Sequence, residues 1–115
     1  MLVAEAARLM EKQPQYGAWL HEAHHAAKID APSGTALMLR DAMVAAGFTR
    51  PVDVSSTRAG AIPGTHTVGF DGPSDTIELT HTARDRRGFA AGALLAARFI
   101  EHRPGWFTMA DVLRG

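Results

Sequence analysis

The sequence of 115 residues contains no cysteine. A disulfide framework and a thiolate zinc site are therefore excluded, and the composition suits a reducing compartment. No apolar run approaches the roughly 20 residues of a membrane-spanning helix. The first twelve residues mix acids and bases along an amphipathic pattern, which is unlike a signal peptide. We therefore predict a cytoplasmic location and no membrane partner.

The chain also lacks net charge, because twelve acidic side chains balance twelve basic ones. This balance argues against a nucleic-acid partner, since nucleic-acid binders usually carry a basic excess. The hydrophobic fraction of 46% and the charged fraction of 21% are typical of globular proteins rather than disordered chains. A chain of this length can bury roughly two-thirds of its unfolded surface, so we predict one domain over residues 1–115.

The hydrophobic pattern predicts an α+β fold, with a mostly open sheet and helices on one face. Residues 16–25 suit either a strand or a helix. The predicted helices cover residues 2–12, 35–46 and 89–100. The predicted strands cover residues 52–58, 66–70 and 76–83, and a short tail covers 111–113. The last two strands are expected to form an antiparallel hairpin, because turn-forming residues separate them.

The segment His21-Glu22-Ala23-His24-His25 matches H-E-x-x-H, a zinc hydrolase motif. That chemistry requires a helix, where residues four apart share a face. On a strand, His21 and His25 would lie about 13 Å apart and would not share a metal. We favour the strand and expect no metal site. A zinc hydrolase is the less favoured alternative.

Proton-transfer groups and an anion site are neighbours in the sequence. His24 and His25 can exchange protons near pH 7, and Lys28 becomes an acid when partly desolvated. Ser33-Gly34-Thr35 is predicted to begin a helix, whose free N–H groups and positive dipole end attract anions. Exposed loop residues and a plain helix cap are the alternatives. Since Lys28 supplies a countercharge that a plain cap does not need, we predict a carboxylate ligand.

Arginines follow two of the predicted strands and are candidates for binding a second acidic group: Arg58, Arg84, Arg86 and Arg87. A solvated strand end is the alternative. His66 and His81 lie on the predicted hairpin, where we expect hydrogen-bonded sheet histidines. The sequence contains no G-x-G-x-x-G, so it carries no dinucleotide-binding fingerprint of its own.

The segment EAHHAAKIDAPSGTAL, residues 22–37, closely resembles the signature of the 4-hydroxy-tetrahydrodipicolinate reductase family, E-x-H-H-x-x-K-x-D-A-P-S-G-T-A. The resemblance continues through residues 58–93 and returns in Met109-Ala110-Asp111-Val112-Leu113, so it covers nearly the whole chain. It implies reduction of 4-hydroxy-tetrahydrodipicolinate to tetrahydrodipicolinate by NADH or NADPH in lysine and diaminopimelate synthesis. It also implies a mixed sheet of about four strands and a homo-oligomer, the family tetramer.

The resemblance assigns a role to each matching residue. His24 would be the catalytic proton donor or acceptor, and Lys28 a second proton donor. The residues that would bind the small dicarboxylate substrate are His25, Ser33, Gly34 and Thr35, with Arg86 as a further candidate.

Members of the family begin with a Rossmann domain, whereas this chain starts near the helix that opens their C-terminal domain. We therefore expect a substrate-binding and oligomerisation domain, with the N-terminal Rossmann domain outside this chain. NADPH or NADH would be bound mainly by that other domain, which would leave the isolated chain without reductase activity. A non-catalytic oligomerisation module of the same fold is the alternative.

Overall fold

A computed structural model describes all 115 residues, which form two compact units, Met1–Thr82 and Ala83–Gly115. The first unit contains α1 (Leu2–Glu11), β1 (Gly17–His24), α2 (Gly34–Ala45), β2 (Val52–Arg58), β3 (Thr65–Asp71) and β4 (Thr76–Thr82). The second unit contains α3 (Arg87–Ile100) and α4 (Met109–Arg114). The single substrate-binding and oligomerisation domain over residues 1–115 stays a prediction.

The four strands form one open sheet in the order β2-β1-β3-β4. Strand β1 pairs parallel to β2 and antiparallel to β3, and β3 and β4 form an antiparallel hairpin. Helix α2 makes the connection between the parallel strands, as a parallel pair requires. This arrangement confirms the α+β prediction with a mixed open sheet. It also shows that residues 17–24 form a strand.

Helices α1 and α2 pack on one face of the sheet, where the core lies. Alternate residues of β1 point to that face, so Ala18, Leu20 and Glu22 are buried. The other buried members of the core are Ala7, Ala36, Met43, Phe48, Val68 and Phe70. Residues on the opposite face of the edge strands, such as Ser55 and Thr80, are exposed.

Helix α2 begins and ends where its sequence signals predict. Ser33 has an extended backbone, and its Oγ accepts a hydrogen bond of 3.1 Å from the Ala36 N–H. This satisfies one of the N–H groups that the first helical turn leaves unpaired. After the helix, Gly47 adopts φ 97°, a conformation that glycine reaches without steric cost.

Arg50 joins the end of α1 to the sheet. Its guanidinium donates hydrogen bonds to the carbonyl oxygens of Met10, at 2.6 Å, and Tyr16, at 2.9 Å. The same group lies 4.5 Å from the centre of the Phe48 ring. Because a helix leaves its last carbonyl groups unpaired, Arg50 supplies the donors that the C-terminus of α1 needs.

The second unit contains two helices, and no residue of α3 is buried. Residues 111–113, expected to be a tail, belong to the short helix α4. Its N-terminus has a capping box, in which Thr108 and Asp111 each bond the backbone N–H of the other. None of the helices in the chain is long and apolar enough to cross a membrane.

Replacing Leu20 with alanine should lower the free energy of unfolding by about 3 kcal/mol, because the emptied space lies in a closed core. The Leu20 side chain has no exposed surface. Ile77 on β4 is 41% exposed and serves as the control, for which we expect a loss below about 1 kcal/mol on alanine substitution. Urea unfolding of both variants measures the difference. Equal losses would show that the assigned core is wrong.

Candidate functional site

The fold brings the C-terminal ends of β1 and β2 to the N-terminus of α2. His24 and Arg58 are paired in the parallel register of the two strands. Ser33, the N-cap of α2, donates its N–H to Glu22 of β1 over 3.0 Å. Because α2 makes the connection between two parallel strands, its N-terminus lies at their carboxyl edge, the usual position of ligand sites in such units.

Glu22 is a fully buried carboxylate at the centre of this region. Arg58 binds both of its oxygens, from Nη1 to Oε2 at 2.8 Å and from Nη2 to Oε1 at 2.7 Å. Burial alone raises the pKa of a carboxyl group, but the hydrogen bonds from Arg58 and the other donors outweigh burial and hold the pKa of Glu22 well below its usual range. The site therefore contains a permanent buried anion that its own cation neutralises.

His24 lies beside this carboxylate. Its Nδ1 is hydrogen-bonded to Oε2 of Glu22, and its side chain is only 12% exposed. The ring meets His66 edge-on, with the ring centres 5.1 Å apart. Its Nε2 faces Gly64, where a Cβ atom would lie 3.1 Å away. No protein group is hydrogen-bonded to this Nε2, so the atom can exchange a proton with a ligand.

His66 of β3 joins the polar cluster to the cap of α2. Its Nε2 lies 3.0 Å from Oγ of Ser33. Burial lowers the pKa of His66, and the charge of His24 lowers it further. A neutral His66 accepts the Ser33 hydroxyl proton, while the same oxygen accepts from the N–H of Ala36. His66 is therefore a hydrogen-bonded sheet histidine, as expected.

Lys28 and Asp30 form a second, more exposed ion pair in the loop before α2. Nζ of Lys28 lies 2.8 Å from Oδ1 of Asp30, and 59% of the Asp30 side chain is exposed. The hydrogen bond from Lys28 lowers the pKa of Asp30, and the Gly34 N–H at the start of α2 contributes in the same direction. Arg58 donates to the Asp30 carbonyl oxygen over 2.6 Å. A carboxylate of the chain itself therefore lies between Lys28 and the helix N-terminus, and a carboxylate ligand at this position stays a prediction.

The structure brings some of the predicted site residues together. His24, Lys28 and Ser33 lie in the connected network around Glu22 and Arg58. The remaining candidates are exposed: Gly34 and Thr35 at the start of α2, His25 after β1, and Arg86 at the N-cap of α3 in the second unit. The N–H and Oγ of Ser33 already have protein partners. The catalytic and substrate-binding roles of all these residues stay predictions.

The sequence did not predict the part that two members of the network, Glu22 and Arg58, have in the structure. In the sequence analysis, Glu22 appears only as one position of two motifs. Its place two residues after Leu20 in an alternating strand nevertheless puts it on the buried face. Arg58 was a candidate for binding an external acid. The structure shows that its guanidinium binds the internal carboxylate of Glu22, so the external role of Arg58 is not supported.

The zinc motif loses its structural basis. His21 and Glu22 lie on a strand and point to opposite faces, and Nδ1 of His21 lies 2.8 Å from Oγ of Ser55. A different group, Glu22, His24 and His66, has potential ligand atoms within 4.8 Å of one another. The Arg58 guanidinium already binds both carboxylate oxygens, so a metal ion would meet a positive charge there. The group suits hydrogen-bonded imidazoles better than a metal.

The connection between β1 and α2 does not fit a dinucleotide. The β1-α2-β2 unit has the right order of elements, but a dinucleotide site needs a tight glycine-rich turn between the first strand and the helix. Here residues 25–33 form that connection, without a single glycine.

Comparisons with known proteins agree on one family. The family model described as dihydrodipicolinate reductase, C-terminus, matches residues 1–113. The chain is 48% identical over 112 residues to 4-hydroxy-tetrahydrodipicolinate reductase of Rhodopseudomonas palustris strain TIE-1, covering 80% of this chain and 41% of the relative. It is 36% identical over 118 residues to the protein of that name from Christiangramia forsetii, covering 93% of this chain and 49% of the relative. The chain thus spans less than half the length of these relatives.

A solved structure shares the fold. It is the dipicolinate-bound dihydrodipicolinate reductase from Paenisporosarcina sp. TG-14, with a TM-score of 0.69 and 19% sequence identity. The match covers 86% of this chain and 44% of that chain. At this identity the likeness concerns the fold, and it agrees with the mixed open sheet described above.

Acid should destabilise the first unit through His66. Because the pKa of His66 is lowered in the folded chain, the unfolded chain binds the proton first, at about pH 6.5. The free energy of unfolding should therefore fall as the pH drops from about 7 to about 5. His66→Asn should flatten this slope, whereas His102→Asn, at a 92% exposed side chain of the second unit, should leave it unchanged. Urea unfolding at several pH values measures the slopes, and equal slopes in both variants would contradict this origin of the pH dependence.

Proposed function

The chain belongs to the family of dihydrodipicolinate reductase C-terminal domains, and on this premise we propose that it is the substrate-binding and catalytic domain of such a reductase. The proposed reaction is the reduction of 4-hydroxy-tetrahydrodipicolinate to tetrahydrodipicolinate, with loss of water, in lysine and diaminopimelate synthesis. Family membership supports an oxidoreductase.

One observation supports the proposal most: a carboxylate, that of Asp30, lies between the ammonium group of Lys28 and the start of α2. This position suits one carboxylate of a dicarboxylate substrate, because an ammonium charge and helix N–H groups both favour an anion. The Lys28 side chain is 24% exposed and that of Asp30 59%, so water weakens their attraction and a ligand carboxylate would replace that of Asp30.

His24 would act as the proton donor or acceptor next to this anion site, with Lys28 as a second proton donor. The Nε2 of His24 is free of protein partners, and a network through Glu22, Arg58 and Asp30 connects it to Lys28. Such a group contributes to catalysis when it stands within hydrogen-bond reach of the reacting atom. The hydride would come from NADH or NADPH, for which the connection at residues 25–33 offers no glycine-rich turn.

Pyridine-2,6-dicarboxylate, a flat dicarboxylate, should raise the melting temperature of the 115-residue chain. A ligand at about 100 times its Kd stabilises the folded state by about 2.7 kcal/mol. Lys28→Ala should remove most of this protection, because it removes the cation that faces the ligand. Lys12→Ala removes the same charge at the exposed end of α1 and should retain the protection. Thermal denaturation with and without the ligand measures all three proteins.

Equal protection of the Lys28→Ala and Lys12→Ala variants would overturn the assignment of the anion site. Absence of protection in the unaltered chain, together with stable self-association, would favour the alternative of a non-catalytic oligomerisation module.

We also propose that the chain forms a homo-oligomer, the tetramer of the family. The support is membership of the family, and the candidate surface is the sheet face opposite α1 and α2, where residues such as Ser55, Thr57 and Thr80 are exposed. Copies of the chain that pack through this face would cover it. An isologous interface of this kind places the same residue on both partners.

Thr80→Glu should lower the mass measured by sedimentation equilibrium, since like charges would meet across the interface. Gln15→Glu adds the same charge in the exposed loop before β1 and should leave the mass unchanged. A monomeric mass of the unaltered chain at every concentration would refute the oligomer.

A further inference from the structure

The Glu22 carboxylate has more partners than charge neutralisation requires. Arg58 already binds both oxygens in the bidentate arrangement that suits a carboxylate best. Oε1 also accepts the Ser33 N–H over 3.0 Å, and Oε2 also bonds Nδ1 of His24. The bond to His24 is therefore additional to what the buried charge needs.

We propose that Glu22 is a positioning residue that fixes the tautomer and orientation of His24. A carboxylate only accepts hydrogen bonds, so the neutral imidazole next to it must carry its proton on Nδ1. Nε2 is then the unprotonated atom, available to take up a proton and to donate it. This inference rests on the proposed function, in which His24 exchanges the proton with the substrate.

The space around Nε2 supports this assignment. Gly64, immediately before β3, faces Nε2 of His24. Its φ is 144°, a backbone conformation that residues other than glycine rarely adopt. A Cβ atom there would lie 3.1 Å from Nε2 and 3.3 Å from Cδ2 of His24. Glycine at this position thus keeps a side chain from crowding Nε2, while Glu22 is bonded to Nδ1. No other protein group competes for Nε2.

Five other titratable or charged groups surround His24 and Glu22. Titratable or charged groups near His24 and Glu22 from the neighbouring strands and the loop before α2 are Arg58, His66, His81, Lys28 and Asp30. His66 is bonded to Ser33, and Lys28 lies against Asp30. None of these groups offers Nδ1 of His24 an alternative partner, so Glu22 alone sets the tautomer.

The tautomer can be read directly from the ¹⁵N chemical shifts of the imidazole nitrogens in the unaltered 115-residue chain. We expect neutral His24 to carry its proton on Nδ1, in at least about tenfold excess over the other tautomer, because hydrogen bonds to charged groups are the stronger class. A proton found mainly on Nε2 would overturn the proposal. This measurement needs neither a variant nor enzyme activity.

The Glu22→Gln variant tests whether Glu22 causes the tautomer preference of His24. Arg58 donates to both carboxylate oxygens, and Ser33 and His24 add one partner each, at Oε1 and Oε2. In either orientation of the amide the charged acceptor beside Nδ1 is lost, and where the NH₂ group replaces Oε2, Nδ1 of His24 must accept. The excess of the Nδ1–H tautomer should therefore fall at least about tenfold, because hydrogen bonds to charged acceptors are the stronger class. Glu78→Gln makes the same chemical change at an exposed site on β4 and should leave the ratio unchanged.

Arg58, whose side chain is only 17% exposed, loses its countercharge in Glu22→Gln, so this variant should be less stable. The double variant Glu22→Gln with Arg58→Gln removes both charges and keeps groups that can bond each other. The excess of the Nδ1–H tautomer should fall at least about tenfold in this protein too, since the charged acceptor is gone. An unchanged ratio in either folded variant would overturn the proposal.

The Lys28→Ala variant separates this inference from the proposed function. Lys28 forms its ion pair with Asp30 and no hydrogen bond with His24, so Lys28→Ala should lose protection by pyridine-2,6-dicarboxylate and keep the tautomer ratio of His24 to within about twofold. A reversed tautomer ratio in Lys28→Ala would overturn the positioning by Glu22. A missing response of the unaltered chain to the dicarboxylate, with the expected tautomer, would reject the ligand and retain the positioning.

Discussion

The buried ion pair between Glu22 and Arg58 determines where the surrounding elements meet. A carboxylate without solvent must find donors, because an unpaired buried charge costs several kcal/mol. Its donors come from three places: Arg58 at the end of β2, the Ser33 N–H at the start of α2, and His24 at the end of β1. Arg58 also bonds the carbonyl oxygen of Asp30 and so fixes the loop between β1 and α2. One buried charge therefore links two strands, a helix and the loop that contains Lys28.

Local sequence signals were enough for most of the fold. Ser33 and Gly47 bracket α2 as a cap and a stop do, and turn residues between β3 and β4 define the hairpin. Strand β1 was ambiguous because Ala, Leu, Glu and His suit helices as well. Pairing with β2 on one side and β3 on the other settles its conformation, and this information lies 28 or more residues away along the chain. The same strand pairing excludes the helix that the H-E-x-x-H zinc motif requires.

The site was predictable only in its outline. Neighbouring residues His24, Lys28 and Ser33 indicated proton transfer beside an anion site, and the structure brings them into one network. The partner of Glu22 could not be read from the sequence, because Arg58 is 36 residues away and had an equally plausible external role. The helix at residues 109–114 has a local signal in the sequence, the capping pair Thr108 and Asp111.

The two ion pairs of the site differ in a way that suits binding. Glu22 is fully buried and Arg58 is 17% exposed, so separating them would leave an uncompensated charge in the interior. Lys28 and Asp30 are 24% and 59% exposed, and water replaces much of their attraction when they part. In the proposed function, an incoming carboxylate would exchange with Asp30 at Lys28 while the Glu22–Arg58 pair keeps its geometry. The Glu22–Arg58 pair would hold the imidazole and the Lys28–Asp30 pair would yield to the ligand, so binding would not disturb the group proposed to transfer the proton.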